Sequence, residues 1–246
     1  MTPLFTLAIG LVALLYASVG HAGATGYIAV MTLFGLAPEV IRPTALMLNV
    51  VVASIASVQF LRAGHFRGRL FWPLAVASVP CAVLGGTLRL PTDAFEKLVG
   101  VVLAASALKI VIDARPGRAT GDPSPSSPPA PPALATVGGG IGLLSGLTGV
   151  GGGVFLTPIL LALRAAPVKE VAAITAPFIL VNSLAGLAGG MITGRRLPSL
   201  GLWVLAAAVI GGTVGAHLGA FRLPVRAVQI LMAAVLAIAS AKLFGL

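Results

Sequence analysis

The chain has 246 residues, of which 58% are hydrophobic and only 9% are charged, whereas a soluble domain carries about 25% charged residues. This composition excludes a soluble globular protein, and it predicts an all-α polytopic membrane protein because apolar runs of about 20 residues recur along the chain. The net charge of +10 does not indicate a nucleic-acid partner, since basic loop residues also orient membrane helices. A single cysteine, Cys81, excludes an internal disulfide or a cysteine metal cluster.

The first half begins with two short apolar stretches, residues 4–19 and 22–36, which meet at Gly20. Each has only about 15 residues, less than a comfortable crossing needs. One interpretation is a helical hairpin that enters the membrane and turns near its middle, and the alternative is a pair of tilted full crossings. Three longer spans are predicted near residues 43–61, 70–90 and 94–112.

Residues 113–133 read DARPGRATGDPSPSSPPAPPA. A segment so rich in Pro and Ser predicts an extended linker. It divides the chain into residues 1–112 and 134–246, which we interpret as two transmembrane repeats joined by a cytoplasmic linker.

The second half repeats the order of the first. Residues 134–147 and 151–163 are short apolar stretches, and long spans are predicted near 170–190, 198–219 and 224–244. When the first half is shifted by 129 positions, Gly20 falls on Gly149 and Pro38 on Pro167. This order indicates internal duplication, a pattern of many transporters.

The hairpin interpretation predicts that the two halves have inverted topology. A hairpin returns the chain to its starting side, and three further spans then give an odd number of crossings. The basic residues divide 10 to 6 between the two sides in that arrangement, against 9 to 7 if each hairpin counts as one crossing. The positive-inside rule favours inversion, with both termini outside. The basic residues expected on the outer side are Arg42, Arg89, Lys97, Arg195, Arg196 and Lys242.

Glycines cluster at matching places in the two halves, in SVGHAGATGYIAV (18–30) and LTGVGGGVFLTP (147–158). Glycine in a helix interior costs roughly 1 kcal/mol relative to alanine, so such clusters indicate a broken helix or a close backbone approach. The N-terminus of a helix that starts after the break offers free N–H groups to an anion. We therefore predict an oxyanion site, with close helix packing as the alternative. The predicted site residues are Gly20, His21, Gly23, Thr25, Gly26, Asn49, Thr148, Gly149, Gly151, Gly152, Gly153 and Asn182.

The polar residues of the spans refine this prediction. None of the six acidic residues lies in the middle of a span, which argues against a cation carrier and a carboxylate proton relay. His21 is the titratable group at the first break, where a protonated ring favours a dianion and a neutral ring bonded to backbone is the alternative. Asn49 and Asn182 carry amides that can donate to an oxyanion or bond between helices. No nucleophile–base pair or metal-ligand pair is visible, so we expect neither an enzyme nor a cofactor.

The strings GLLSGLTGVGGGVFLTPILL (142–161) and AAITAPFILVNSLAGL (172–187) resemble the second-half signature of the sulfite exporter TauE/SafE family. YASVGHAGATGYIAVMTLFGL (16–36) resembles the looser first-half copy. The resemblance implies a multi-pass permease of a bacterial inner membrane, with duplicated halves, for small sulfur-containing anions such as sulfite or sulfoacetate. A permease for another small anion and a non-transporting subunit of a membrane complex remain alternatives, and a homodimer remains open.

Overall fold

The computed structural model describes residues 3–18, 20–88, 91–114, 129–163, 165–195, 197–221 and 241. This part of the chain forms nine helices: α1 (Pro3–Ser18), α2 (Ala24–Leu33), α3 (Pro38–Arg62), α4 (Gly68–Thr87), α5 (Thr92–Ala114), α6 (Pro131–Thr148), α7 (Gly153–Ala162), α8 (Val168–Ile192) and α9 (Leu202–Phe221). Each of the nine predicted apolar stretches that fall here is a helix, although several ends shift. The predicted span 224–244, apart from residue 241, and linker residues 115–128 lie outside the described residues.

Three of the described helices, α3, α4 and the part of α8 from Glu170, are long and apolar enough to cross a membrane. Helices α1 and α2 and the stretch Leu202–Leu218 of α9 are also apolar, over 10 to 17 residues. Large apolar side chains face outward, among them Trp72 (61% exposed) and Trp203 (78% exposed). An outer surface of this kind suits lipid, and the protein is a multi-pass membrane protein.

Helices α4 and α6 pack in the same direction along a row of glycines. A Cβ added to Gly142 would meet the carbonyl of Ser78, and one added to Gly146 would meet the carbonyl of Ala82. Because the residue numbers of the contacting positions increase together along α4 and α6, the two helices run parallel. Small residues at these positions let the backbones approach closely, as is common between membrane helices.

Helices α1 and α9 form a matching pair. A Cβ on Gly211 would meet the carbonyl of Gly10, and a Cβ on Gly215 would meet the carbonyl of Leu14. These helices therefore also run parallel, and each half contributes its first helix to a helix of the other half.

Helices α3 and α8 lie side by side in opposite directions at the centre of the described part. Asn49 lies beside Ser183, and Leu46 lies against Gly186. The residue number decreases along α3 as it increases along α8, so the two helices are antiparallel. At one end of this pair, an ion pair of 2.5 Å joins Arg67, just before α4, to Glu170 near the start of α8.

The expectation that basic residues lie in loops is wrong for Arg42. This residue lies in the second turn of α3 and is only 5% exposed. Its guanidinium donates to carbonyls at the C-terminal end of α4, to Gly85 O at 2.6 Å and Gly86 O at 3.0 Å. Hydrogen bonds to these carbonyls, which have no partner within the helix, make burial of the charge tolerable.

The glycine row of α6 gives a direct test of this packing. We expect Gly142→Ala to lower the melting temperature of the purified protein in detergent, because the new methyl group collides with backbone of α4 that cannot move aside. Gly140→Ala in the same helix is the matched control, since nothing lies within 4 Å of its added Cβ. A melting temperature that falls equally in both variants would contradict the packing described here.

Candidate functional site

The second glycine cluster is a break between two helices. Gly149 ends α6 in the left-handed conformation (φ +82°), and its N–H bonds to Ser145 O at 2.8 Å. Gly151 and Gly152 also have positive φ, +78° and +82°. Only glycine adopts these angles without steric cost, so the cluster is needed to turn the chain from α6 into α7.

Several backbone N–H groups at the start of α7 have no hydrogen-bond acceptor in the described structure. The first N–H groups to find a backbone acceptor are those of Phe155 and Leu156, both at 3.1 Å from Gly152 O. Within the described part of the chain, the N–H groups of residues 151–154 make no hydrogen bond, although Gly151, Gly152 and Gly153 are buried. The first N–H groups of a helix have no partner within it, and more than nine in ten buried backbone N–H groups in proteins are paired, so these groups are candidates to meet an acceptor.

Polar side chains from three helices surround these N–H groups. A Cβ on Gly151 would meet Nδ2 of Asn49 and lie 3.2 Å from Oγ of Ser183. The Cβ of Ser145 lies 3.7 Å from the corresponding position on Gly152. Asn49 and Ser183 belong to the middle portions of α3 and α8, whose antiparallel packing brings them to the same depth.

Two of these side chains have an atom without a partner in the described structure. Asn49 and Ser145 are fully buried, yet Asn49 Oδ1 and Ser145 Oγ make no hydrogen bond. The single bond of the Asn49 side chain is a long one, from Nδ2 to Ser183 Oγ at 3.3 Å. An unpaired buried polar group costs about 1–3 kcal/mol, so these two atoms are candidates for contact with a ligand.

The first glycine cluster ends α1 and starts α2. Gly20 (φ +79°) closes α1, and the His21 N–H reaches back to Tyr16 O at 2.9 Å, which is the Schellman pattern of a helix end. Gly23 (φ +104°) precedes α2. Aromatic side chains fill this break: the added Cβ on Gly23 would lie 3.1 Å from the hydroxyl oxygen of Tyr27, which is fully buried and has no partner among the described residues.

His21 connects the first break to the second half. Its Nε2 lies 3.2 Å from Thr157 Oγ1 on α7, which in turn lies 3.1 Å from Thr175 Oγ1 on α8. Gly20 packs beside Ala172 of α8. Both breaks therefore adjoin α8, and the imidazole bonds to a side chain of the other half.

Comparison with known proteins shows which family the chain belongs to. Residues 5–243 match the family described as "Sulfite exporter TauE/SafE". The chain belongs to this family. One relative, "Probable membrane transporter protein y4hK" of Sinorhizobium fredii, is 38% identical to this chain over 237 residues, and the match covers 96% of each of the two chains. No solved structure matches.

Membership of the TauE/SafE family makes the chain a membrane transporter, so the predicted site residues can be considered as parts of a transport path. The predicted glycines at each break lie close to one another. Most of them have a positive φ, but Gly26 and Gly153 belong to helices α2 and α7. Gly26 packs against Tyr16, and Gly153 packs against Ile179.

Three other predicted site residues direct their bonds at the protein itself. Thr25 donates to the Tyr16 hydroxyl at 2.9 Å, and Thr148 donates to Leu144 O at 2.7 Å. Asn182 accepts from Ser78 Oγ at 2.5 Å and donates to Phe178 O at 2.9 Å. Of the two predicted asparagines, Asn49 is the one whose amide lies beside the break and has an atom, Oδ1, without a hydrogen bond in the described structure.

Sequence reasoning missed two residues that the fold brings to the breaks, Tyr27 and Arg42. The side chain of Arg42 packs against Gly149, whose added Cβ would lie 3.0 Å from Arg42 Cγ. One signal for Arg42 was available, because a Pro at residue 38 begins helices well and so places Arg42 inside one. Within the described residues, no group of three or more His, Cys, Asp or Glu could hold a metal ion.

Proposed function

We propose that the protein is a permease that carries a small oxyanion across a bacterial inner membrane, with the anion bound at the glycine breaks. The observation that supports this most is the set of buried, unpaired N–H groups of Gly151, Gly152 and Gly153 at the start of α7. A helix N-terminus attracts negative charge, and glycine allows an oxygen atom to approach the backbone. No carboxylate lies in the middle of a described span to oppose an anion.

Asn49, Ser145 and Ser183 supply the remaining contacts of the proposed site. The two serine hydroxyls donate to an oxyanion, and the amide of Asn49 either donates or accepts. The Tyr27 hydroxyl offers one more donor at the first break.

The family description points to sulfur oxyanions, and we propose sulfite or an organosulfonate such as sulfoacetate as the substrate. Both present a pyramidal or tetrahedral sulfur with several oxygens, which suits converging N–H and O–H donors. The start of α7 has hydroxyl and amide groups of α3, α6 and α8 beside it, and such donors stabilise a group of this kind.

Two inverted repeats would place the breaks symmetrically in the membrane. In support, α3 and α8 occupy equivalent places in the two halves and run antiparallel, as the Asn49–Ser183 and Leu46–Gly186 neighbours require. The exposed Trp72 and Trp203 lie near the starts of the equivalent helices α4 and α9. Inversion puts these side chains at opposite faces, where tryptophan is enriched in membrane proteins. Transport would then rock one repeat against the other.

Anion flux in proteoliposomes tests the proposal. We expect the native chain to transport at least one of sulfite, sulfoacetate, thiosulfate and sulfate. Gly152→Leu should abolish that flux in a protein that still elutes as a folded species, because a side chain there meets Ile141 and Phe178 and fills the break. If none of the four anions moves, or if Gly152→Leu transports as well as the native chain, the glycines serve packing alone.

A further inference from the structure

Arg42 and Arg195 converge on one carbonyl oxygen at the end of α4. Arg42 Nη1 donates to Leu88 O at 3.1 Å, and Arg195 Nη2 donates to the same oxygen at 3.0 Å. The two donor nitrogens therefore lie no more than about 6 Å apart, a distance at which like charges repel at a protein surface. Two guanidinium groups held this close form a positive point, which the carbonyls at the end of α4 offset only in part.

The Arg42 charge is not neutralised by the described residues. All three of its hydrogen bonds go to backbone carbonyls, of Gly85, Gly86 and Leu88. Glu39, one turn earlier on α3, is exposed and makes no ion pair with Arg42 in the part of the chain that the structure describes. A positive point of this kind lowers the energy of an approaching anion.

A small cavity of about 10 Å³, room for about one water molecule, lies between the two arginines and is partly open to the surface. It is lined by Arg42, Pro43, Leu46, Gly186, Gly190 and Arg195, with further apolar side chains at its rim. Gly186 and Gly190 leave room on the α8 side, where the side chain of Arg195 lies 3.7 Å from the Cβ position of Gly190.

This cavity lies next to the proposed binding site, displaced from it along α3 toward the N-terminus of that helix. On α3, Arg42, Leu46 and Asn49 follow one another at helical spacing on one face, so Asn49 is about 10 Å deeper than Arg42 at 1.5 Å per residue. On α8, Gly186 is one turn from Ser183, the neighbour of Asn49. Leu46 packs at 3.2 Å from the Cβ position of Gly186 and separates the cavity from the amide.

We propose that Arg42 and Arg195 form an entry site for small oxyanions, from which the anion passes Leu46 to reach Asn49 and the glycine break. This inference rests on the proposed function and adds a second anion site on the same path. Paired guanidinium groups bind oxyanions through several N–H donors at once. The site favours a dianion over a monoanion, because two positive charges act on it.

The charge at residue 195 can be changed chemically. In a Cys81→Ala background, which removes the one native cysteine, Arg195→Cys is alkylated with 2-bromoethylamine or 2-bromoethanesulfonate, which release bromide and leave a cationic or anionic thioether that sulfite does not cleave. We expect Arg195→Cys to raise the half-saturating sulfite concentration about fivefold to tenfold, since attraction by the entry site is lost. The cationic adduct should restore it to within about twofold, whereas the anionic adduct should raise it further.

Arg69→Cys is the matched control, because Arg69 is an exposed basic residue at the opposite end of α4. It should show no such opposite response to the two reagents. Arg195→Gln in the otherwise native chain repeats the test without a cysteine, and here the half-saturating concentration should become less sensitive to salt, which screens exposed charges.

Transport that is unchanged by Arg195→Cys, by Arg195→Gln and by both adducts would overturn the entry site while leaving the proposed function intact. Failure of the reagents to label residue 195 would also overturn it, since the cavity would then be closed to water. Absence of flux for every anion in the native chain would instead contradict the proposed function.

Discussion

We expect Gly151→Ala to reduce oxyanion flux at least about a hundredfold in a chain that still folds. The added methyl group would collide with Nδ2 of Asn49 and push it away from the α7 N-terminus, where the proposed anion binds. It also forces an alanine to a φ of +78°, at a cost of roughly 1–2 kcal/mol. The collision disturbs the site and lowers stability, whereas the backbone angle only lowers stability.

Gly64→Ala separates these two effects. Gly64 has nearly the same backbone angle, φ +76°, but nothing lies within 4 Å of its added Cβ. Both variants should therefore lose thermal stability through the backbone angle, Gly151→Ala should lose more because its methyl group also meets Asn49 and Ile179, and only Gly151→Ala should lose transport. The measurement is initial flux in proteoliposomes beside melting temperature in detergent. Equal flux in the two variants would remove Gly151 from the binding site.

The helices and their breaks were predictable because they depend on local properties of the sequence. Apolar runs specify helices in a membrane, where backbone groups must be satisfied internally. A cluster such as Gly149, Gly151 and Gly152 specifies a turn, because positive φ is accessible mainly to glycine. Matching spacing in the two halves then placed both breaks correctly.

The partners of polar side chains were not predictable in this way. Asn49 and Asn182 are the same residue type in equivalent-looking apolar helices, and sequence gives no reason to rank them. The fold distinguishes them, because Ser78 reaches Asn182 whereas Asn49 faces the break. Arg42 was placed in a loop because its charge suggested exposure, but the carbonyls of α4 allow it to be buried. Such pairings depend on which helices meet.

Substitution of these two asparagines should give different results, and this contrast tests whether Asn49 binds the anion. Asn182→Ala removes the bond to Ser78 and leaves its buried hydroxyl without that partner, at a cost of about 1–3 kcal/mol. We expect its melting temperature to fall by roughly 2–6 °C, with little change in the half-saturating sulfite concentration.

Asn49→Ala should lower the melting temperature less than Asn182→Ala does, because it removes only a long 3.3 Å bond to Ser183 together with a buried oxygen that has no partner in the described structure. It should raise the half-saturating sulfite concentration about tenfold or more, since a hydrogen bond to a charged ligand contributes about 1.5–3 kcal/mol and each 1.4 kcal/mol corresponds to a factor of about ten. If Asn49→Ala instead lowers stability as much as Asn182→Ala and spares affinity, its amide serves helix packing, and the anion must be bound without it.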